Sequence, residues 1–186
     1  MQMSSFFSSL ALGSAALLAA QPAVAQQKLV PAQSEVQFTA RQMGVPLEGH
    51  FKKFDAQVSF DPAKLATSKI VFTVDTGSAT MGSRETDAEL PKATWFNVPQ
   101  FPQATFQSSA IKALGAGKFE VTGKLSIKGL ARDVVVPVTL VQNGATTLAT
   151  GALPLKIGEN EWADTSMVAD DVQVKFKLAL TGVGKL

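Results

Sequence analysis

Phe119-Glu120-Val121-Thr122-Gly123-Lys124-Leu125-Ser126-Ile127 alternates without a break: every odd position is apolar or glycine, and every even position is polar. A period of two sends successive side chains to opposite faces of an extended strand, so this segment has one dry face and one wet face. The same alternation returns at Val36, Phe38 and Ala40, at Ala56, Val58 and Phe60, and at Ile70, Phe72 and Val74. It continues at Val134, Val136, Val138 and Leu140, at Gly151, Leu153, Leu155 and Ile157, and at Val172, Val174, Phe176, Leu178 and Leu180. Gln173, Lys175 and Lys177 stand between the last of these as a solvated outer face.

The alternating runs predict strands over Ser34–Gln42, Val45–Phe60 with a bend near Lys53, Ser68–Thr76, Gln103–Lys112, Lys118–Ile127, Arg132–Val141, Thr146–Ile157 and Val172–Leu180. Leu114-Gly115-Ala116-Gly117 and Gln142-Asn143-Gly144-Ala145 read as hairpin loops, because Gly and Asn tolerate positive φ. The fold class is therefore all-β. An eight-stranded antiparallel sheet with one dry face buries that face by closing into a lipocalin-like barrel, just wide enough to be filled by side chains or to hold one slim ligand. A two-sheet sandwich satisfies the same alternation. The one long interruption is the connection 77–102, where Ser83 is placed to cap a short helix through Glu85, Asp87 and Glu89 that Pro91 stops. A connection of that length between short turns suggests a flap or lid. A shorter excursion, Gly158 to Asp171, carries Trp162.

The chain has 186 residues, no cysteine, one histidine and a formal net charge of +2. Residues 1–25 read as a secretory signal peptide to be cleaved, with an apolar run from Leu10 to Ala20 and a small-residue Ala23-Val24-Ala25 site. The apolar run is shorter than the ~20 residues a bilayer span needs, so the mature chain is not expected to span a membrane. Residues 26–186, about 160 residues, suit one domain that encloses a real core. Without cysteine an exported fold must rest on burial alone, and thiol nucleophiles, iron–sulfur clusters and thiolate zinc sites are excluded. Interspersed charges of both signs give no nucleic-acid surface.

Catalytic constellations are equally absent from the sequence. His50 alone builds neither a His-His metal pair nor a nucleophile–His relay. Ser109-Ala110-Ile111-Lys112 matches S-x-x-K, but four residues match by chance and the companion S-D-N and K-T-G elements are missing. Gly115-Ala116-Gly117-Lys118 is no phosphate loop, since Phe119 stands where Ser or Thr must bind magnesium. Glu159, Glu161 and Asp164, like Arg84, Glu85 and Asp87, read as solvated charge. No enzyme, no catalytic cofactor and no metal site are expected.

Other stretches carry a family likeness. Trp95-Phe96-Asn97-Val98-Pro99-Gln100-Phe101-Pro102-Gln103-Ala104-Thr105-Phe106 sets an aromatic pair and two prolines before a Phe that opens a strand. Gly123-Lys124-Leu125-Ser126-Ile127-Lys128-Gly129-Leu130 follows as a G-x-L-x-I-x-G hairpin. With Ser34 to Phe38, Gly49-His50-Phe51-Lys52-Lys53-Phe54 and Val172 to Leu180, these resemble the YceI-like family of secreted lipid-binding barrels, in the family's order and over nearly all of residues 26–186. The resemblance implies a periplasmic protein that holds a long-chain polyisoprenoid, an isoprenoid quinone or a similar amphiphilic lipid, for transport, storage or sequestration. It implies a cavity wall of Phe38, Phe72, Trp95, Phe96, Phe106, Phe119, Leu125, Leu155 and Phe176. Arg41, His50 and Arg84 have the reach and the donors to meet a head group. Ala88-Glu89-Leu90 and Gly158-Glu159-Asn160-Glu161-Trp162 depart from the family pattern, which leaves the head group open. A filled barrel acting as a ligand-free, stress-related scaffold or partner-binding module is the alternative, and pairing of two barrels as a homodimer is left open.

The exported protein is expected to begin at Gln26, which intact mass of the secreted material checks. Retention of Met1 to Ala25 in a membrane fraction is the contrary result.

Overall fold

The computed structural model describes residues 26–162 and 169–186. The expected signal peptide, residues 1–25, and Asp164 lie outside the described residues. The strands are β1 (Lys28–Leu29), β2 (Glu35–Gln42), β3 (Val45–Phe51), β4 (Phe54–Ser59), β5 (Lys69–Asp75), β6 (Ala79–Thr80), β7 (Gln103–Gly115), β8 (Lys118–Ile127), β9 (Leu130–Asn143), β10 (Thr146–Lys156) and β11 (Asp171–Thr181), with one α-helix, α1 (Arg84–Glu89). All pair antiparallel in a single curled sheet of order β4-β5-β7-β8-β9-β10-β11-β2-β3-β6, with β1 beside β11.

The sheet has eleven strands where eight are predicted, and the difference has two sources. β1 and β6 are two-residue pairings too short to show as alternation. The predicted strand 45–60 divides at Lys52-Lys53 into β3, which pairs with β2, and β4, which pairs with β5. The inward parity changes across this bend, from odd Gly49 and Phe51 to even Ala56 and Val58. One bent chain segment thus joins the two ends of the sheet order. Asp75 N–H donates to the Lys53 carbonyl (3.0 Å) and Lys52 N–H to the Ser78 carbonyl (3.1 Å), which ties the bend to the end of β5.

A second tie closes the far end. Gln27 N–H donates to the Val58 carbonyl at 2.9 Å, while the buried Gln27 side chain accepts from Phe60 N–H at 2.6 Å and donates to the Gly182 carbonyl at 3.3 Å. One side chain thereby links β4 to the chain just past β11. Beside it Ala56, Val58, Phe60, Phe119, Ala149 and Leu180 form a closed apolar floor, with the Phe60 and Phe119 rings edge to face at 5.3 Å.

Tight turns carry several strands further than the alternation indicates. Met43-Gly44, Ala116-Gly117 and Lys128-Gly129 are two-residue loops with positive φ at both positions, the geometry that suits the right-handed twist of a hairpin. A bulge around Ser109 in β7 shifts the register, so that even Phe106 and odd Ile111 face the same interior. α1 begins after Ser83 as expected, but the Ser83 hydroxyl donates to Glu85 Oε2 (2.9 Å) and does not cap a backbone N–H. Leu90, the residue after the helix, is buried at 1% exposure.

Gln27→Ala leaves the buried Phe60 N–H without its acceptor, and a loss of about 1–3 kcal/mol is expected. A lowered urea midpoint with an unchanged slope checks this. An unchanged midpoint contradicts the closing role.

Candidate functional site

Three glycines shape the interior. A Cβ built on Gly49 would lie 2.3 Å from Phe38 Cζ, one on Gly151 2.3 Å from Phe176 Cζ, and one on Gly123 2.6 Å from Phe106 Cζ. Phe38 and Gly49 are register partners, as are Phe176 and Gly151, and Phe106 reaches diagonally to Gly123 on β8. Each ring therefore lies against the backbone of the neighbouring strand, in the space a side chain would take, and does not project across the barrel. The aromatic ring in turn covers a glycine that would otherwise leave its strand unpacked.

The result is a cavity of about 290 Å³ that is apolar along nearly its whole length. That is close to the lower edge of the roughly 300–1,000 Å³ typical of small-molecule sites. Phe72, Phe106, Leu125 and Phe176 all face it and are only partly buried, although they stand on the inward parity of their strands. In a filled core those positions would be covered. All nine side chains of the predicted wall, Phe38, Phe72, Trp95, Phe96, Phe106, Phe119, Leu125, Leu155 and Phe176, line this cavity.

The end opposite the floor is covered by two excursions. In the connection 77–102, Trp95 N–H donates to the Lys92 carbonyl (3.0 Å) and Phe96 N–H to the Leu90 carbonyl (3.1 Å), which turns both aromatic side chains to the cavity. Phe96 packs edge to face with Phe38 (6.2 Å) and Phe51 (5.7 Å). The second excursion enters where β9 and β10 part. Their pairing stops at Val138 and Gly151, next to Pro137, whose carbonyl lies against Gly151 and whose nitrogen, on that same strand edge, carries no hydrogen to continue the ladder. Trp162, 2% exposed, lines the cavity from this second excursion, and its indole N–H donates to the Leu130 carbonyl at 3.0 Å. Asp170 holds the neck by accepting from Gly158 N–H (2.6 Å).

Besides the indole N–H groups of Trp95 and Trp162, the described lining residues with a polar side-chain group are Thr76, Thr94 and Lys128. The Thr76 hydroxyl donates to the Phe101 carbonyl (2.8 Å), and Lys128 Nζ to the Ala93 carbonyl (3.0 Å). Burial pushes the Lys128 ammonium below the ordinary lysine range. Arg41, His50 and Arg84, the head-group candidates, do not line the cavity. Arg41 is exposed at the end of β2, Arg84 is exposed on α1, and His50 points outward between the inward positions Gly49 and Phe51. The cavity is also lined by Phe51, Trp162 and Lys128, which the sequence-derived wall omits, and by Phe60, which stands on the dry alternation with Ala56 and Val58. Phe51 shares the parity of Gly49 and was there to be read, whereas Lys128 and Trp162 belong to turns, where parity gives no direction.

The polar groups near α1 have structural partners. The Thr80 hydroxyl and Met81 N–H donate to Asp87 and hold its carboxyl below the ordinary carboxylate range. Among the described residues no group of three or more His, Cys, Asp or Glu side chains is placed to hold a metal ion.

The family model of the YceI-like domain matches residues 27–180. A UPF0312 protein of Azotobacter vinelandii is 35% identical over 139 residues, 73% of this chain and 72% of that relative. The protein YceI of Salmonella arizonae is 34% identical over 110 residues, 59% of this chain and 57% of that relative. The crystal structure of Burkholderia cenocepacia BcnA, 48% identical, matches with a TM-score of 0.76 over 82% of this chain and 99% of that one. A polyisoprenoid binding domain from Saccharophagus degradans, implicated in plant cell wall breakdown, matches with a TM-score of 0.69 at 13% identity, over 83% of this chain and 97% of that one. At that identity the likeness bears on the fold.

Gly49→Ala is expected to cost about 1–3 kcal/mol, because the new methyl must push the Phe38 ring off the wall, and Gly151→Ala at least as much, because its methyl also meets the Pro137 carbonyl oxygen at 2.6 Å. Combining Gly49→Ala with Phe38→Ala should recover part of that cost, a coupling that a double-mutant cycle in urea measures. Strict additivity would show that ring and glycine do not touch.

Proposed function

Because the chain belongs to the YceI-like family, its matched domain covering residues 27–180, we propose that it is a binding protein and not an enzyme. In this reading it holds a long-chain polyisoprenoid, an isoprenoid quinone or a similar amphiphilic lipid within the barrel, for transport, storage or sequestration after export to the periplasm. The observation that carries the proposal is the partly exposed apolar wall at Phe72, Phe106, Leu125 and Phe176. An interior that faces inward without being packed is apolar surface awaiting a cover, and a flexible hydrocarbon chain is the cover that fits a narrow bore. The structural likeness to a protein described as a polyisoprenoid binding domain supports the same ligand class.

The energetics are sufficient. Burial gives about 0.8 kcal/mol per methylene, so a dozen enclosed carbons gain roughly 10 kcal/mol before the costs of ordering the chain and of association. The outer faces of β8 and β11 carry Glu120, Lys124, Lys175 and Lys177. Charge outside and hydrocarbon inside is the reverse of a transmembrane barrel. A leader read at residues 1–25 supports export of such a protein to the compartment between two membranes, where an apolar molecule needs a carrier.

Organic extraction of purified protein, followed by mass spectrometry, is expected to release a lipid from the parent. The same extraction should yield several-fold less from Phe72→Ala and Phe106→Ala, with no change for Lys175→Ala on the outer face. A fully packed Phe would cost the fold about 3–5 kcal/mol on truncation. Partly exposed rings should cost less. Extracts free of lipid from all four proteins, each folded, would favour the ligand-free scaffold.

A further inference from the structure

We propose that Lys128 selects the head group of the bound molecule, and that the preferred ligand is an apolar chain ending in an anionic oxygen group, a phosphate or a carboxylate. This rests on the reading of the cavity as a binding site for such a chain. Among the described lining residues Lys128 is the one charged side chain in a wall of aliphatic and aromatic groups. The turn Lys128-Gly129 between β8 and β9 sets it at the end covered by Trp95, Phe96 and Trp162. The opposite end is closed by Phe60, Phe119 and Leu180, which offer a head group no donor. An amphiphile in this bore finds polar groups only at this end, beside Lys128, Thr94 and the Trp95 indole N–H, and of these only Lys128 carries a charge.

The state of the ammonium group indicates what it pairs with. Other cations near this end have carboxylate partners: Lys92 pairs with Glu89, and Arg132 with Glu161 at 3.1 Å. Lys128 has no carboxylate among the described residues and donates one hydrogen bond, to the neutral Ala93 carbonyl at 3.0 Å. An ammonium has three donors, so two remain for a ligand. Burial lowers its pKa, and among the described residues no carboxylate opposes that shift. Among the described residues this partly desolvated cation has no counter-charge, so an anion is the partner it favours. A quinone carbonyl or an alcohol would take a hydrogen bond and leave that charge uncompensated. A phosphate or carboxylate oxygen does both, through a charge-assisted bond of the stronger kind.

Geranylgeranyl monophosphate, geranylgeranoic acid and geranylgeraniol share one isoprenoid chain and differ in the head, so their dissociation constants isolate this contribution. The parent is expected to bind both anions about tenfold or more tighter than the alcohol, as a hydrogen bond to a charged group implies. Lys128→Met should remove that preference without weakening the alcohol, Lys128→Arg should keep it, and Lys124→Met on the outer face should change nothing. The order of phosphate and carboxylate in the parent separates the two anion classes. Equal affinity of all three probes for the parent, or a preference that survives in folded Lys128→Met, overturns the role of Lys128 and leaves the apolar cavity standing. Failure of all three to bind a folded parent overturns the cavity reading, and the proposal with it. Equal affinities within the parent overturn the proposal with no variant, and where Lys128→Met does not fold, Lys128→Gln is read in its place.

Discussion

Phenylalanine laid over glycine is the contact on which the interior depends. A narrow barrel can be filled by its own side chains, and this one carries inward aromatic rings on β2, β3, β5, β7, β8 and β11. Were Phe38, Phe106 and Phe176 directed across the lumen, they would meet near its axis and make a core. Because Gly49, Gly123 and Gly151 stand beside them without a Cβ, the rings lie along the wall and the axis stays open. The apolar surface of a core is retained while its packing is given up, which is the combination a hydrocarbon site requires. The cost in stability is offset elsewhere, at the packed floor around Phe60 and Phe119 and at the tie through Gln27.

The two covered ends have different chemistry, and this gives the bore a direction. The floor is aliphatic and aromatic throughout, whereas the far end brings together Thr76, Thr94 and Lys128 with two indoles. The indoles come from separate connections, each held by backbone hydrogen bonds, and each placed where the sheet does not close on itself. One of these gaps has a local cause in Pro137, which ends the β9–β10 ladder and admits Trp162.

Much of the wall was legible because alternation reports direction, and direction is all that an inward side chain needs. Leu125, Phe119 and Phe176 are placed by parity alone. Parity fails where the chain adds a residue, at Ser109, beyond which odd Ile111 faces inward, whereas Phe51 precedes the bend at Lys52-Lys53 and keeps the parity of Gly49. The difference between a packed and an open interior was not legible, since it depends on which glycine stands beside which ring, a matter of register between strands distant in sequence. The head-group candidates show the opposite lesson. Arg41, His50 and Arg84 have the reach and chemistry for a head group, yet His50 sits between the inward Gly49 and Phe51, so that parity directs it outward. Lys128 was overlooked because it lies in a two-residue turn, where the period of two no longer applies.

Trp95 and Trp162 are the only tryptophans of the chain, there is no tyrosine, and both indoles line the cavity. Intrinsic emission thus reports almost entirely from the site. Titration with a bromine-labelled alkyl chain, whose heavy atoms quench an indole on contact, tests the central claim that the bore accepts hydrocarbon. Saturable quenching of most of the emission at about one chain per protein, reversed by an unlabelled isoprenoid alcohol, is the result expected of one enclosed ligand. Emission that is unaffected, or that declines without saturation or competition, would mean that the chain does not enter the barrel.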